Sequence, residues 1–263
     1  MLETGPSRQE LVRDFINEHV LNHASGGQAW NVPFLHIPGL DWLRYDWVML
    51  GVTVLGLVLL GSFAARRHNP VPTGISNAFE AYVVFIRDSI AVAQLGPAEG
   101  PHFTSYFCTL FLFILSLNLL GLIPLCATAT GNLSVTCAMG LLFLALAVGM
   151  AIRRRGLVGF LKTFVPTGAP WPLLPLLVPI EFVSLLVRTV ALMVRLFANM
   201  MAGHITIFAI MGLAVIFSLW SLVLILPMLV LLFFFEIFVA VLQAYIFTLL
   251  SAVFMGLLLN PEH

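Results

Sequence analysis

Two long apolar stretches in the last third of the chain restrict its fold more than any other feature. They cover about residues 172–213 and 217–259, roughly 40 residues each. A helix that crosses the bilayer perpendicularly needs only about 20 residues. Each stretch is therefore either two spans joined by a hidden turn or one long, tilted helix. Because no cluster of Gly, Asn or Pro interrupts residues 181–210 or 229–258, we predict two long, strongly tilted helices that form a hairpin.

The composition of the whole chain indicates a polytopic membrane protein. Of its 263 residues, 60% are hydrophobic and 9% are charged, and the mean hydropathy is +1.05. Soluble globular domains do not have this balance. The net charge of +0 argues against nucleic acid as a partner. The three cysteines have the spacing of neither a metal site nor an obvious disulfide framework, so we expect them to pack among apolar side chains.

The hydropathy pattern predicts an extramembrane tail over residues 1–46, followed by a single all-α membrane domain over residues 47–263. We expect a short amphipathic helix near Arg8–His23 in the tail and no cleavable signal peptide. Residues Asn77–Arg87 alternate at helical spacing, which predicts an interfacial amphipathic helix. About five membrane-embedded helices complete the domain, at about residues 47–65, 103–125, 133–152, 172–213 and 217–259.

Basic residues predict the orientation of these helices. Arg66, Arg67 and Arg87 flank one loop, whereas Arg153–Arg155 and Lys162 lie in another. Cytoplasmic loops carry an excess of Lys and Arg, so we expect both loops in the cytoplasm. The N-terminus then lies outside and the C-terminus lies in the cytoplasm.

Polar and charged side chains recur within the two apolar stretches. Glu181, Arg188 and Arg195 are seven residues apart, which places them on one helical stripe, and Asn199 stays near that face. His204 is nine residues beyond Arg195 and points to the opposite side. A guanidinium keeps its charge at ordinary pH, and its burial in mid-membrane costs roughly 2.5–3.5 kcal/mol on insertion scales.

The second apolar stretch carries Glu236 and Gln243 on one face, together with Tyr245. Charged groups within spans usually mark ion or proton pathways. Structural explanations stay open for each of them. Glu181 could pair with Arg188, Glu236 could pair with His204 or Arg195, and Gln243 could join two helices by a hydrogen bond.

Several separated motifs resemble subunit a of the F-type ATP synthase. They are the segments Pro179–Leu186, Ala191–His204 and Glu236–Leu250, and the upstream segment Asn118–Pro124 is similar to a second-span motif of that family. The first two contain Glu181 and the run Arg195-Leu-Phe-Ala-Asn199. The resemblance covers about residues 70–258.

The resemblance implies a stator subunit with no catalytic site of its own and no cofactor. Such a subunit lies against the c-ring, works with subunit b and the rest of the ATP synthase, and provides two offset half-channels for protons. Arg195 matches the arginine that faces the rotor carboxylate, and Asn199 and Gln243 match its neighbours. Glu181 matches an acidic position near one half-channel. The bacterial inner membrane is the expected location.

The resemblance also assigns His204 and Glu236 to a pair of channel positions. Many bacterial members carry the acid on the first helix and the histidine on the second, and this chain has the two exchanged. An exchange keeps one acid and one imidazole, which supports a coupled proton relay. Arg188 is often neutral in the family, so its role is either structural or functional.

Two other classes of protein compete with this interpretation. A proton-coupled secondary transporter is the main alternative, although such folds commonly contain internal repeats and none is evident here. An intramembrane hydrolase would need a metal cluster or a nucleophile with its base. Co-purification with a small two-span proteolipid that bears a mid-membrane carboxylate would separate these classes.

Overall fold

The computed structural model describes residues 45–66, 74–122, 129–165, 171–216 and 222–259, which are helical apart from a few turn residues. The helix predicted near Arg8–His23 lies outside the described residues. Six α-helices are present in the described part of the chain: α1 Tyr45–Arg66, α2 Ile75–Ile86, α3 Ala93–Leu122, α4 Leu133–Thr163, α5 Leu174–Ile216 and α6 Leu222–Leu259.

Four helical stretches are long and apolar enough to cross a membrane. They are Ser76–Leu122, Leu133–Leu161, Leu174–Gly212 and Val223–Leu258, and α1 contains a shorter apolar segment, Val48–Ser62. No strand occurs among the residues that the structure describes. The predicted fold class, an all-α polytopic membrane protein, is confirmed.

The two apolar stretches of the last third each form one helix. Helix α5 has 43 residues and α6 has 38. At a rise of 1.5 Å per residue, α5 is roughly 65 Å long. Pro179 and Pro227 lie near the two helix starts, where few intrahelical bonds precede them. The alternative of two short spans with a hidden turn in each stretch is therefore wrong.

The predicted amphipathic helix is not separate from the span that follows it. Helix α2 continues through a π-helical segment, Arg87–Val92, into α3. The break within this run is at Gly96, whose φ of 83° favours glycine. Pro97 then begins the next helical segment, where its missing N–H leaves no bond unmade. The helix that holds the second predicted span thus begins about six residues before Phe103.

Helix α4 extends beyond the predicted end of the third span. It continues through Arg153–Arg155 and breaks at Gly156, which has a φ of 73°. The last segment, residues 157–163, has one packed face and one open face, and both carry apolar side chains. Phe160 is buried, whereas Leu157 and Leu161 are exposed.

The described residues form two compact units. Unit 1 contains residues 45–53, 116–122, 129–136, 195–216 and 222–242, and unit 2 contains residues 54–66, 74–115, 137–165, 171–194 and 243–259. Close helix contacts at glycine stabilise unit 2. A Cβ at Gly140 would collide with the side chain of Met193, and one at Gly256 would lie 2.6 Å from the carbonyl oxygen of Gln94.

Candidate functional site

A cavity of about 150 Å³ lies in unit 1 among residues of α3, α5 and α6. A volume of this size is large enough to hold several water molecules. Four polar residues line the cavity: Asn118, Asn199, Thr206 and Glu236. The remaining lining residues are apolar, namely Leu122, Leu196, Met200, Ala202, Gly203, Leu232, Phe235, Val239 and Ala240.

The carboxylate of Glu236 lies directly against the backbone of α5 at Gly203. A Cβ built on Gly203 would collide with Oε1 of Glu236 and would lie 2.9 Å from its Cδ. Only glycine leaves room for the carboxylate in this position. His204 follows Gly203 in α5; its side chain is half-buried and is not among the residues that line the cavity.

Two buried oxygen atoms among the cavity residues lack a hydrogen-bond partner within the described chain. They are Oδ1 of Asn118 and Oε2 of Glu236. A buried polar atom with no partner costs roughly 1–3 kcal/mol. A water molecule in the adjacent cavity would be a donor small enough to satisfy either oxygen.

Asn118 was not among the predicted site residues. It is 3% exposed and lies in α3, inside a run of apolar side chains. The segment Asn118–Pro124 had been noted only as a family motif. The signal that could have identified Asn118 is its amide, because a polar residue at mid-span needs a polar partner or water.

The side chain of Arg195 is exposed in the structure and does not line the cavity. Ala198 and Ala202, three and seven residues further along α5, are exposed as well. Among the described residues, Arg195 makes no ion pair and no side-chain hydrogen bond. Unit 1 therefore presents a permanent cation on a helix surface lined by small side chains, which allow close approach of another helix.

Unit 2 contains Gln243 and Tyr245, near the middle of α6. Gln243 is 3% exposed, and its Nε2 has no hydrogen-bond partner within the described chain. The ring of Tyr245 lies 6.1 Å from the ring of Phe85, centroid to centroid. Gln243 is thus a buried donor with no acceptor within the described chain, whereas Tyr245 packs against an aromatic neighbour.

Glu181 and Arg188 are both exposed and belong to unit 2. The guanidinium of Arg188 lies over the ring of Phe254, 5.9 Å from its centroid. No ion pair joins Arg188 to Glu181 in the described part of the chain. The ion pair that the sequence left open is therefore absent from the described residues. Arg188 instead makes a cation–π contact that holds it against α6.

Comparison with known proteins identifies the family. The profile of the family described as ATP synthase A chain matches residues 47–256. The chain belongs to the ATP synthase A chain family. All six described α-helices lie within or overlap the matched region.

Several bacterial proteins named ATP synthase subunit a are similar to this A-chain family member. The protein of Anaeromyxobacter dehalogenans (strain 2CP-C) is 46% identical over 76% of this chain and 52% of its own length. That of Myxococcus xanthus (strain DK1622) is 42% identical over 73% of this chain and 64% of its own length. ATP synthase subunit a 2 of Chlorobium luteolum is 36% identical over 97% of this chain and 78% of its own length. The chain spans about half the length of the Anaeromyxobacter relatives that it matches.

Proposed function

We propose that this chain is the proton-translocating stator subunit of an F-type ATP synthase in a bacterial inner membrane. The observation that carries the proposal is the carboxylate of Glu236, which lies against Gly203 beside a cavity among three apolar helices. The burial of a charged carboxylate in such a place costs free energy unless the group takes up a proton or pairs with a cation. Membership of the ATP synthase A chain family gives this proton exchange a function, because the proposed subunit carries protons.

The proposed entry route begins at the cavity of unit 1. A proton from outside reaches Glu236 and His204 through water that Asn118 and Asn199 hold by their amides. A carboxyl and an imidazole within one water network can pass a proton in either direction, because each accepts it in one form and releases it in the other. The proton then neutralises a carboxylate on a passing c-ring helix, which can rotate through lipid once it is uncharged.

Arg195 has a different part in the proposal. Its guanidinium cannot lose its proton, so it cannot relay one. It attracts the rotor carboxylate after deprotonation, and it blocks direct passage of protons between the entry and exit routes. The exit route lies on the cytoplasmic side near Glu181, with Gln243 beside the path. Each proton that crosses a potential of 100 mV releases about 2.3 kcal/mol, which drives rotation only if no proton bypasses the ring.

The proposal also assigns partners to the chain. Arg195, Ala198 and Ala202 form the surface that faces the c-ring, and subunit b and the other stator components hold the chain against rotation. Affinity purification of this chain from native membranes in mild detergent is expected to retain a small two-span proteolipid with a mid-membrane carboxylate. Recovery of the chain alone, active as a solute transporter, would contradict the proposal.

We expect Gly203→Ala to reduce ATP-driven acidification of inverted vesicles by roughly tenfold to a hundredfold, since small displacements of a reacting group have effects of this size. The new Cβ would collide with Oε1 of Glu236 and push the carboxylate away. The measurement is fluorescence quenching of a pH-sensitive dye, with equal amounts of assembled complex in each sample.

Two further variants test the cause of that loss. Gly149→Ala adds the same methyl group at a helical glycine with nothing within 4 Å, so acidification should be unchanged. Adding Glu236→Asp to Gly203→Ala shortens the acid by one methylene and should recover part of the lost rate. Normal pumping by Gly203→Ala would show that the position of the Glu236 carboxylate is unimportant.

A further inference from the structure

Three consecutive arginines, Arg153–Arg155, lie where α4 leaves its apolar stretch, and they have different surroundings. Arg154 donates from Nη1 to Oε1 of Glu99 at 2.6 Å, and its guanidinium lies 6.0 Å from the ring centroid of Phe103. Arg153 and Arg155 are exposed, and neither pairs with a carboxylate among the described residues. Unit 2 thus uses one arginine internally and presents two others to the surroundings.

The backbone turns immediately after these arginines and brings an apolar surface beside them. Gly156 has a φ of 73°, which ends the regular helix. A Cβ on Gly159 would lie 2.8 Å from the Cβ of Arg155, so the following segment folds back against the stem of that side chain. The aliphatic stem of Arg155 therefore lies against the start of the segment that contains residues 157–163.

That segment has one packed face and one open face. Phe160 and Phe164 are 8% and 5% exposed, and their rings meet edge to face at 5.2 Å. The open face carries three aliphatic side chains: Leu157 is 61% exposed, Val158 is 68% exposed and Leu161 is 57% exposed. We use the name basic rim for the surface formed by Arg153, Arg155, Leu157, Val158 and Leu161.

We propose that the basic rim binds an anionic phospholipid of the surrounding bilayer, with the headgroup phosphate on the arginines and the acyl chains along the aliphatic side chains. Guanidinium groups bind phosphate oxygens in a bidentate manner, which the exposed arginines allow. The rim forms the end of the stretch Leu133–Leu161, which is long and apolar enough to span a membrane, so its position matches the depth of lipid headgroups. A soluble anion would satisfy the arginines but would leave the three aliphatic side chains in water.

Photoactivatable lipid analogues test this proposal on the assembled ATP synthase in phosphatidylcholine nanodiscs. One sample contains a trace of labelled phosphatidylglycerol and the other contains the matched phosphatidylcholine. We expect the peptide covering residues 153–164 to be labelled roughly fivefold to 25-fold more by phosphatidylglycerol, since each of the two arginines contributes up to a factor of roughly five near a membrane surface. Inorganic phosphate, at constant ionic strength, should leave this preference unchanged.

Variants test whether the charges of Arg153 and Arg155 cause the preference for phosphatidylglycerol. Arg153→Gln with Arg155→Gln should lower it to about the level of phosphatidylcholine, whereas the double lysine variant keeps both charges and most of the preference. Arg87→Gln is the matched control, because Arg87 is exposed but already bonded to Asp88 at 2.8 Å. Equal labelling by the two lipids, no labelling by either, loss of the preference in phosphate, or an unchanged preference in the double glutamine variant would each overturn the proposal.

Discussion

Replacing Arg195 with Ala is expected to abolish ATP synthesis driven by an imposed proton gradient. Arg195 is exposed on α5 and has no carboxylate partner among the described residues, so its charge is available to another chain. Without it, nothing fixed attracts the rotor carboxylate, and protons can pass between the entry and exit routes without rotation. Synthesis is measured in vesicles after an acid-to-base transition, with ATP hydrolysis and the amount of assembled complex measured in parallel.

Arg188→Ala is the matched control for this change. It removes the same charge from the same helix, one heptad earlier, where the guanidinium lies over Phe254. We expect it to weaken a packing contact and to leave a measurable rate of synthesis. If both variants lost synthesis equally, the total charge of the helix would explain the effect. If Arg195→Ala kept synthesis, the role assigned to this arginine would be wrong.

Exchanging His204 and Glu236 is expected to harm proton transport less than either single substitution. His204→Glu leaves two acids, and Glu236→His leaves two imidazoles, so neither single variant keeps the pair of proton affinities that a relay uses. Each single variant should lose roughly a hundredfold or more, the usual contribution of a positioned acid or base. The double variant restores one acid and one imidazole and should recover part of that loss.

The comparison is made as a double-mutant cycle on the initial rate of ATP-driven acidification. Residues that act together give a double variant better than the product of the single effects, whereas independent residues give the product. Gly203 stays unchanged in all four proteins, since its missing side chain makes room for residue 236. Multiplicative losses would contradict coupling between the two positions.

The long helices could be predicted from the sequence because apolar length and the absence of turn residues are local properties. Helices α5 and α6 follow directly from them. The helical breaks at Gly96 and Gly156 could not be predicted with the same ease, since each depends on the φ that one glycine adopts. Helical spacing around Asn77–Arg87 correctly predicted a helix, but its interfacial position stays a prediction, and spacing does not show whether a helix stops or continues after a kink.

The site was predicted unevenly for a similar reason. Glu236 and Asn199 stand out as polar residues in apolar helices, and the structure places both at the cavity. Asn118 lies on a distant part of the sequence, and only tertiary packing brings it there. The contact of Arg188 with Phe254 was also hidden, because a sequence shows which charges could pair but not which aromatic ring lies closer.

Disulfide trapping tests most directly whether the anion that meets Arg195 arrives on another chain. Ala198→Cys places a thiol on the exposed surface one turn from Arg195, and Leu196→Cys, at a side chain only 1% exposed, is the control. Each is combined with a cysteine one turn from the carboxylate of the proteolipid and then oxidised in membranes. The account predicts a cross-link for Ala198→Cys alone, with ATP-driven acidification blocked until the bond is reduced. A cross-link from Leu196→Cys but not from Ala198→Cys, or no cross-link from either, would contradict it.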